Sequence, residues 1–220
     1  MNYLLIDTSN QPLSVAVMQD NQLLSELNSN LKKNHSAQLM PAIESVIKES
    51  GIGKKEINAI IVAQGPGSYT GLRIGVTVAK TLAYALDAKL YGVSSLAALA
   101  ATVDEREDLI VPLFDARREA VYTGVYQNHS GQMKQIIEDQ YLPITDLLTI
   151  LHDQQQPYVF VGQDAKQLES LIDGEYISNL PRAKVMLNLI ENEEDVHQFT
   201  PNYIKLSEAE RNWINQQNKN

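Results

Sequence analysis

One arrangement occurs twice in this chain, and it limits what the chain can fold into. An apolar run at residues 3–7 ends on Asp7, and a second at residues 109–114 ends just before Asp115. Nearly continuous apolar runs of this length read as strands covered on both faces. Each carboxylate is followed by a short polar turn and an alternating strand, residues 13–18 in one case and 121–126 in the other. A second turn (Asp20-Asn21, then residues 128–131) and a third strand (22–27, then 135–141) complete each set. Any two α/β halves share such an outline; the matched aspartates favour duplication.

Helical spacing follows each set. Leu39, Ile43, Val46, Ile47 and Ser50 lie on one face, with Asn34 or Ser36 as cap and Gly51 as stop. Pro41 is tolerated only in a first turn or at a kink, which leaves the start of this helix open. A buried strand at 58–63, a helix at 72–86, a strand at 89–93 and a small-residue helix at 95–103 come next. After a charged connector, residues 104–108, the second half gives a helix at 144–151, a strand at 158–161 and helices at 165–172 and 183–190. The expected fold is α/β: two small βββαβα domains, residues 1–103 and 104–220. That is the duplicated, ribonuclease H-like architecture of the actin, Hsp70 and sugar-kinase superfamily. Strand-end aspartates in that superfamily face each other across a cleft and hold nucleotide phosphates and Mg²⁺.

Here the turns after them read Asp7-Thr8-Ser9-Asn10 and Asp115-Ala116-Arg117-Arg118, with no glycine in either. A phosphate needs open backbone N–H groups, which glycine-rich turns expose. Asp7, Thr8, Ser9, Asp115 and Arg117 are therefore read as a degenerate cleft, with Arg117 still able to pair with a phosphate or a partner carboxylate.

The segment Gly65-Pro66-Gly67-Ser68-Tyr69-Thr70-Gly71 is neither a dinucleotide fingerprint nor a P-loop: its third glycine falls one residue late and no Gly-Lys-Ser/Thr follows. It reads as a rigid strand-to-helix connector. Behind it Gly71, Gly75, Ala79 and Ala83 are spaced four apart, a helix ridge almost without side chains. Such a ridge admits a close neighbour, either the chain's own sheet and helices or a helix of another subunit. On the second alternative the partner or self-association surface is His35, Leu39, Ile43, Gly71, Leu72, Gly75, Val76, Ala79 and Ala83.

Eighteen Lys and Arg against 27 Asp and Glu give a net charge of −9, which repels nucleic-acid backbones. No cysteine is present, so thiol chemistry is excluded. The four histidines, His35, His129, His152 and His197, lack metal-site spacing, and no nucleophile elbow occurs. No membrane-spanning run or signal peptide is read, and a cytoplasmic location is expected.

Several strings together carry a family resemblance: Asp7-Thr8-Ser9; Gly65-Pro66-Gly67-Ser68-Tyr69-Thr70-Gly71-Leu72-Arg73-Ile74-Gly75; Gly92-Val93-Ser94-Ser95-Leu96; Asp115-Ala116-Arg117 with Val121-Tyr122; and Pro201-x-Tyr203 before Trp213. The chain resembles the TsaB (YeaZ) family, accessory subunits in threonylcarbamoyl modification of tRNA adenosine and paralogues of the catalytic TsaD. That resemblance implies a non-catalytic subunit that pairs with TsaD through its N-terminal helices, is joined by the ATPase TsaE, self-associates through related surfaces and meets tRNA only through the complex. It implies no cofactor on this chain alone, with ATP used at the partners, and no membrane. TsaD's two metal-binding histidines fall at Ser95 and Leu99 here, neither able to replace an imidazole. Where many relatives read D-A-R-x-G-E-V-Y, the glutamate position is Ala120, which leaves that carboxylate's contact without a counterpart. Other classes are an actin-like ATPase or kinase, a glycoprotease-type metalloenzyme, and a homodimeric module with unrelated clients. Residues 203–213 carry too thin a pattern to place.

Overall fold

The computed structural model describes residues 1–31, 34–129, 131–172 and 174–205. The chain opens with β1 (Asn2–Asp7), β2 (Leu13–Gln19) and β3 (Gln22–Ser29), an antiparallel meander. Helix α1 (His35–Ser50) leads to β4 (Ala59–Gly65), α2 (Tyr69–Leu86), β5 (Lys89–Ser94) and α3 (Ser95–Ala100). The sheet order is β3-β2-β1-β4-β5, with β4 parallel to both β1 and β5.

The second half repeats it. β6 (Arg106–Asp115), β7 (Ala120–His129) and β8 (Gln132–Pro143) form the meander. Helix α4 (Ile144–Asp153), β9 (Tyr158–Val161), α5 (Gln163–Gln167) and β10 (Tyr176–Ile177) follow, in the order β10-β9-β6-β7-β8. Strand for strand this is the first sheet again. The fold is the duplicated α/β, actin-like one.

Some boundaries differ from the sequence expectation. The charged connector is shorter, because Arg106 already lies in β6, where it pairs with Asp108 and approaches Glu175 (3.8 Å). The expected helix at 165–172 is only the five residues of α5, followed by turns. Residues Ala183–Leu189 form a 3-10 helix rather than an α-helix. This helix does not stay with the second sheet. Ala183, Met186 and Leu187 join Leu5, Ala16 and Ile61 on the free face of the first sheet, and the Ala183 N–H donates to Ser14 Oγ at 2.7 Å. Division of the chain at 103/104 stays a proposal, with the stretch after residue 182 packing on the first lobe.

Local chemistry explains both large helices. Asn34 Oδ1 accepts the Ser36 N–H (3.1 Å) at the start of α1, and Gly51 ends it at φ 75°, a left-handed position suited to glycine. Pro41 therefore sits in the second turn, not the first, with its ring exposed. Ser68 caps α2 by accepting the Gly71 N–H (3.3 Å), so this helix begins three residues before its apolar period does.

The small ridge of α2 faces its own lobe. A Cβ on Gly71 would lie 2.1 Å from the Thr8 carbonyl oxygen, and one on Gly75 would lie 2.2 Å from Thr8 Oγ1. Ala79 and Ala83 are buried with Leu4, Ile6, Ile60 and Val62 in the core beneath. Gly71→Ala tests the contact. Helix propensity would gain about 1 kcal/mol, but the methyl meets backbone that cannot step aside. The expected outcome is a net loss of about 2 kcal/mol in urea unfolding, against about 1 kcal/mol for Ser68→Ala, which only removes a cap.

Candidate functional site

The two strand-end turns face each other between the lobes, across a cavity of about 620 Å³ lined by Asn10, His35, Ser68 and Tyr69 on one side and Asp115, Arg117, Tyr122 and Asp164 on the other. Asp7 is fully buried beneath. Its Oδ1 accepts both the N–H (2.9 Å) and the hydroxyl (2.7 Å) of Ser9, and burial pushes its carboxyl above the usual carboxylate range despite those bonds. Asp7 Oδ2 and His35 Nδ1 are buried with no hydrogen-bond partner among the described residues. His35 Nε2 donates to the Asn10 carbonyl at 2.9 Å. Asn10 crosses the cleft, its Nδ2 donating to Asp164 Oδ2 (3.0 Å), which also accepts the Asp115 N–H (3.1 Å).

Neither turn fits a phosphate. In the first, the Ser9 and Gln11 N–H groups are spent on Asp7 and Asn10, Thr8 Oγ1 donates to the Gly71 carbonyl (2.8 Å), and the Ser9 carbonyl presses on Gly67, where a Cβ would come within 2.1 Å. In the second, Arg117 N–H donates to Asp115 Oδ1 (2.7 Å) and Ala116 N–H to the Ala120 carbonyl (2.9 Å). Arg117, Arg118 and Glu119 all hold positive φ (64°, 58° and 56°) and fill the turn with side chains. A triphosphate and its Mg²⁺ would have to displace these contacts.

The residues of the expected association surface lie mostly inside the chain. Leu39, Ile43, Gly71, Leu72, Gly75, Val76, Ala79 and Ala83 are all buried inside the chain, because the ridge packs down on β1 and β4. Of the nine residues only His35 reaches partial exposure, and it lines the cleft. The outward face of the same two helices is different. It shows Met40 (49% exposed), Tyr69 and Arg73, and Tyr84 (72% exposed), and between α1 and α2 it holds a groove of about 390 Å³ floored by Ile43, Ile47, Leu82 and Leu86 with Glu44 and Lys54 at the rim. No acidic residue occurs anywhere in α2, in a chain of net charge −9.

A second interlobe cluster escaped the sequence reading. Ser94, the cap of α3, donates to Asp139 Oδ2 (2.5 Å) while its oxygen accepts the Leu96 and Ala97 N–H groups. Tyr126 donates to Asp139 Oδ1 (2.5 Å), and Gln135 Nε2 donates to the Tyr126 hydroxyl (3.1 Å). Burial raises the Asp139 carboxyl above its ordinary range, and burial with the neighbouring carboxylate raises the Tyr126 phenol. Gly124 is what admits the carboxylate, since a Cβ there would lie 2.4 Å from Asp139 Oδ1. A glycine inside an alternating strand is the one sequence signal that marks such a close approach.

The TsaD family, tRNA N6-adenosine threonylcarbamoyltransferase, matches residues 22–196. The tRNA threonylcarbamoyladenosine biosynthesis protein TsaB of Bacillus subtilis (strain 168) is 40% identical over 228 aligned residues, spanning 99% of this chain and 100% of the relative. The chain belongs to the TsaB (YeaZ) family. The TsaB of Escherichia coli (strain K12) is 31% identical over 129 residues, covering 58% of this chain and 55% of that one. YeaZ from Pseudomonas aeruginosa superposes with a TM-score of 0.77 at 25% identity, over 92% of this chain and 99% of its own.

In this TsaB-family chain Ser95 and Leu99, which the resemblance sets against the TsaD histidines, are built into packing. Ser95 is buried and accepts the Gly65 N–H at 3.0 Å, and Leu99 lies in the core beside Leu96 and Phe114. Trp213, part of the resemblance, lies outside the described residues.

The raised carboxyl makes a pH prediction. Folded Asp139 holds its proton more tightly than the unfolded chain does, so the stability linked to it is full below the ordinary value of 3.8 and is lost as pH rises through the folded value. Asp139→Asn keeps an acceptor for Tyr126 and cannot ionise. Its urea midpoint should gain on the wild type between pH 4 and pH 7; a constant difference across that range contradicts the assignment.

Proposed function

We propose that this chain is a non-catalytic scaffold and activator subunit in tRNA threonylcarbamoyladenosine biosynthesis, pairing with TsaD and then with TsaE. The observation that carries the reading is the exposed α1–α2 face: an apolar groove edged by Met40 between the helices, with Tyr84 exposed on the other side of α2, a helix that itself holds no carboxylate. Large exposed apolar and aromatic side chains grouped around a groove mark an interaction site more often than scattered surface residues do. The partner it fits presents apolar anchors for the groove and carboxylates for Arg73. The bulk of this chain is acidic, so contact with tRNA is left to the other subunits, and ATP is used at the partners rather than here.

Two observations weigh against an enzyme of its own. The strand-end turns spend the N–H groups that a kinase would offer to phosphate. Among the described residues no group of three or more His, Cys, Asp or Glu is placed to hold a metal ion, as a metalloprotease requires. Self-association through the same face is the second reading, favoured by the groove's apolar floor, and it would compete with the partner. Among the described residues no helix is long and apolar enough to cross a membrane, and a cytoplasmic site of action belongs to the proposal.

Met40→Glu places charge at the groove and Tyr84→Glu places it on the exposed side of α2, neither touching the core. Each is expected to weaken the complex with TsaD at least tenfold, about 1.4 kcal/mol, by calorimetry, with unchanged thermal unfolding. Threonylcarbamoyl transfer in the reconstituted system should fall toward the level seen without this chain. Full transfer in the absence of this chain refutes the scaffold role.

A further inference from the structure

Residues 195–205 cross from the first lobe to the second. The segment starts as a self-capped turn, Asp195 Oδ1 accepting the N–H groups of His197 (2.8 Å) and Gln198 (2.9 Å). Phe199 is buried in the first core, over Gly92, where a Cβ would lie 2.7 Å from its ring. The Lys80 ammonium of α2 donates to the carbonyls of His197 (3.1 Å) and Phe199 (2.6 Å). Asn202 N–H donates to the Gln64 carbonyl (2.7 Å), and its own carbonyl covers Gly65, held at φ 122°. Tyr203 stacks on Tyr69 at 4.8 Å, while His197 meets Tyr84 edge-on at 5.7 Å.

Lys205 then reaches the other lobe. Its ammonium donates to the Ala116 carbonyl (3.3 Å) and the Tyr141 hydroxyl (3.1 Å), and stands 4.2 Å from the centre of the Tyr141 ring. Ala116 belongs to the turn that follows Asp115, so the segment ties α2 to the far wall of the cleft. A buried aromatic plug at one end and a cation on a carbonyl and a ring at the other hold it under two independent kinds of interaction.

We propose that residues 195–205 are a clasp that fixes the angle between the lobes and, in the same conformation, supplies Tyr203 and His197 to the outer flank of α2. The clasp stands without the partner assignment above; only its second role rests on that reading. Release of Lys205 would remove one of the ties between the lobes, widening the range of angles they sample, and would loosen Tyr203 from Tyr69.

The full chain has no cysteine, so Glu49→Cys on α1 and Asp146→Cys on α4 carry spin labels without background. In that doubly labelled protein Lys205→Met is expected to broaden the interlobe distance distribution at least twofold and to speed amide exchange at residues 202–205 at least tenfold. Lys205→Arg, which keeps a cation over the ring, should retain the wild-type distribution. A distribution and exchange pattern unchanged by Lys205→Met overturns the clasp. For the second role, Lys205→Met should weaken TsaD binding at least fivefold with the α2 amides still protected, and undiminished affinity overturns that role. Wild-type protein that fails to bind TsaD at all removes the partner reading and leaves the distance measurement standing.

Discussion

Residues 8 and 9 meet α2 and the loop before it at glycines, which put no side chain of their own in the way. Thr8 lends its carbonyl to the space over Gly71 and its hydroxyl to the space over Gly75, while the Ser9 carbonyl occupies the space over Gly67. Most else in the first lobe follows from this approach. It seats α2 on β1 and β4, puts Ala79 and Ala83 into the core and turns Tyr69, Arg73 and Tyr84 outward. It also decides the chemistry of the cleft. A turn whose carbonyls and hydroxyl are pressed against a helix, and whose Ser9 N–H is folded onto Asp7, has little left to offer a phosphate. Close packing and the scarcity of free donors in the turn are one contact seen from two sides.

Duplication gives two sheets of the same order, but the lobes are not equal. The first carries two long helices, α1 and α2, each capped at both ends. The second has α4 and the five-residue α5, and its fifth strand is only Tyr176–Ile177. The chain after residue 182 then returns and covers the free face of the first sheet. One lobe is thus enlarged at the expense of the other, and the enlarged lobe bears the exposed helix pair. Arg182 on Glu26, Asn10 on Asp164, Ser94 on Asp139 and Lys205 on Ala116 stitch the returning segment and the two lobes together at separate points.

Local signals were legible wherever they determined local structure. Asn34, Gly51 and the heptad-like spacing after Leu39 predict α1 to within a residue at its C-terminal end, and the matched Asp7 and Asp115 disclose the repeated order of strands. The ridge of Gly71, Gly75, Ala79 and Ala83 was visible too, but not its direction: a stripe of small residues shows that something comes close and not what. The 3-10 helix passes for an α-helix because Ala183, Met186 and Leu189 repeat every three residues, a spacing both helices share on one face. Two residues of strand at Tyr176 carry no period at all. The Asp139 cluster was out of reach for another reason. Its members lie 45 and 13 residues apart along the chain, and only the hairpin register of β7 with β8 and the docking of the lobes bring them together.

Asp7 is where the cleft and the helix pair meet. A carboxyl group that is fully buried, bonded to Ser9 and raised above its ordinary range is costly unless the surroundings hold it. Here they hold it through the same turn that braces α2, and His35, the first residue of α1, stands beside it with Nε2 on the Asn10 carbonyl. Through Ser9, whose carbonyl accepts the Ser68 N–H at 2.7 Å, Asp7 is tied to the cap of α2, whereas His35 makes no hydrogen bond to it. In this structure Asp7 acts through the turn it holds: Ser9 is fixed by its carboxylate, and that turn is part of the floor on which α2 is seated.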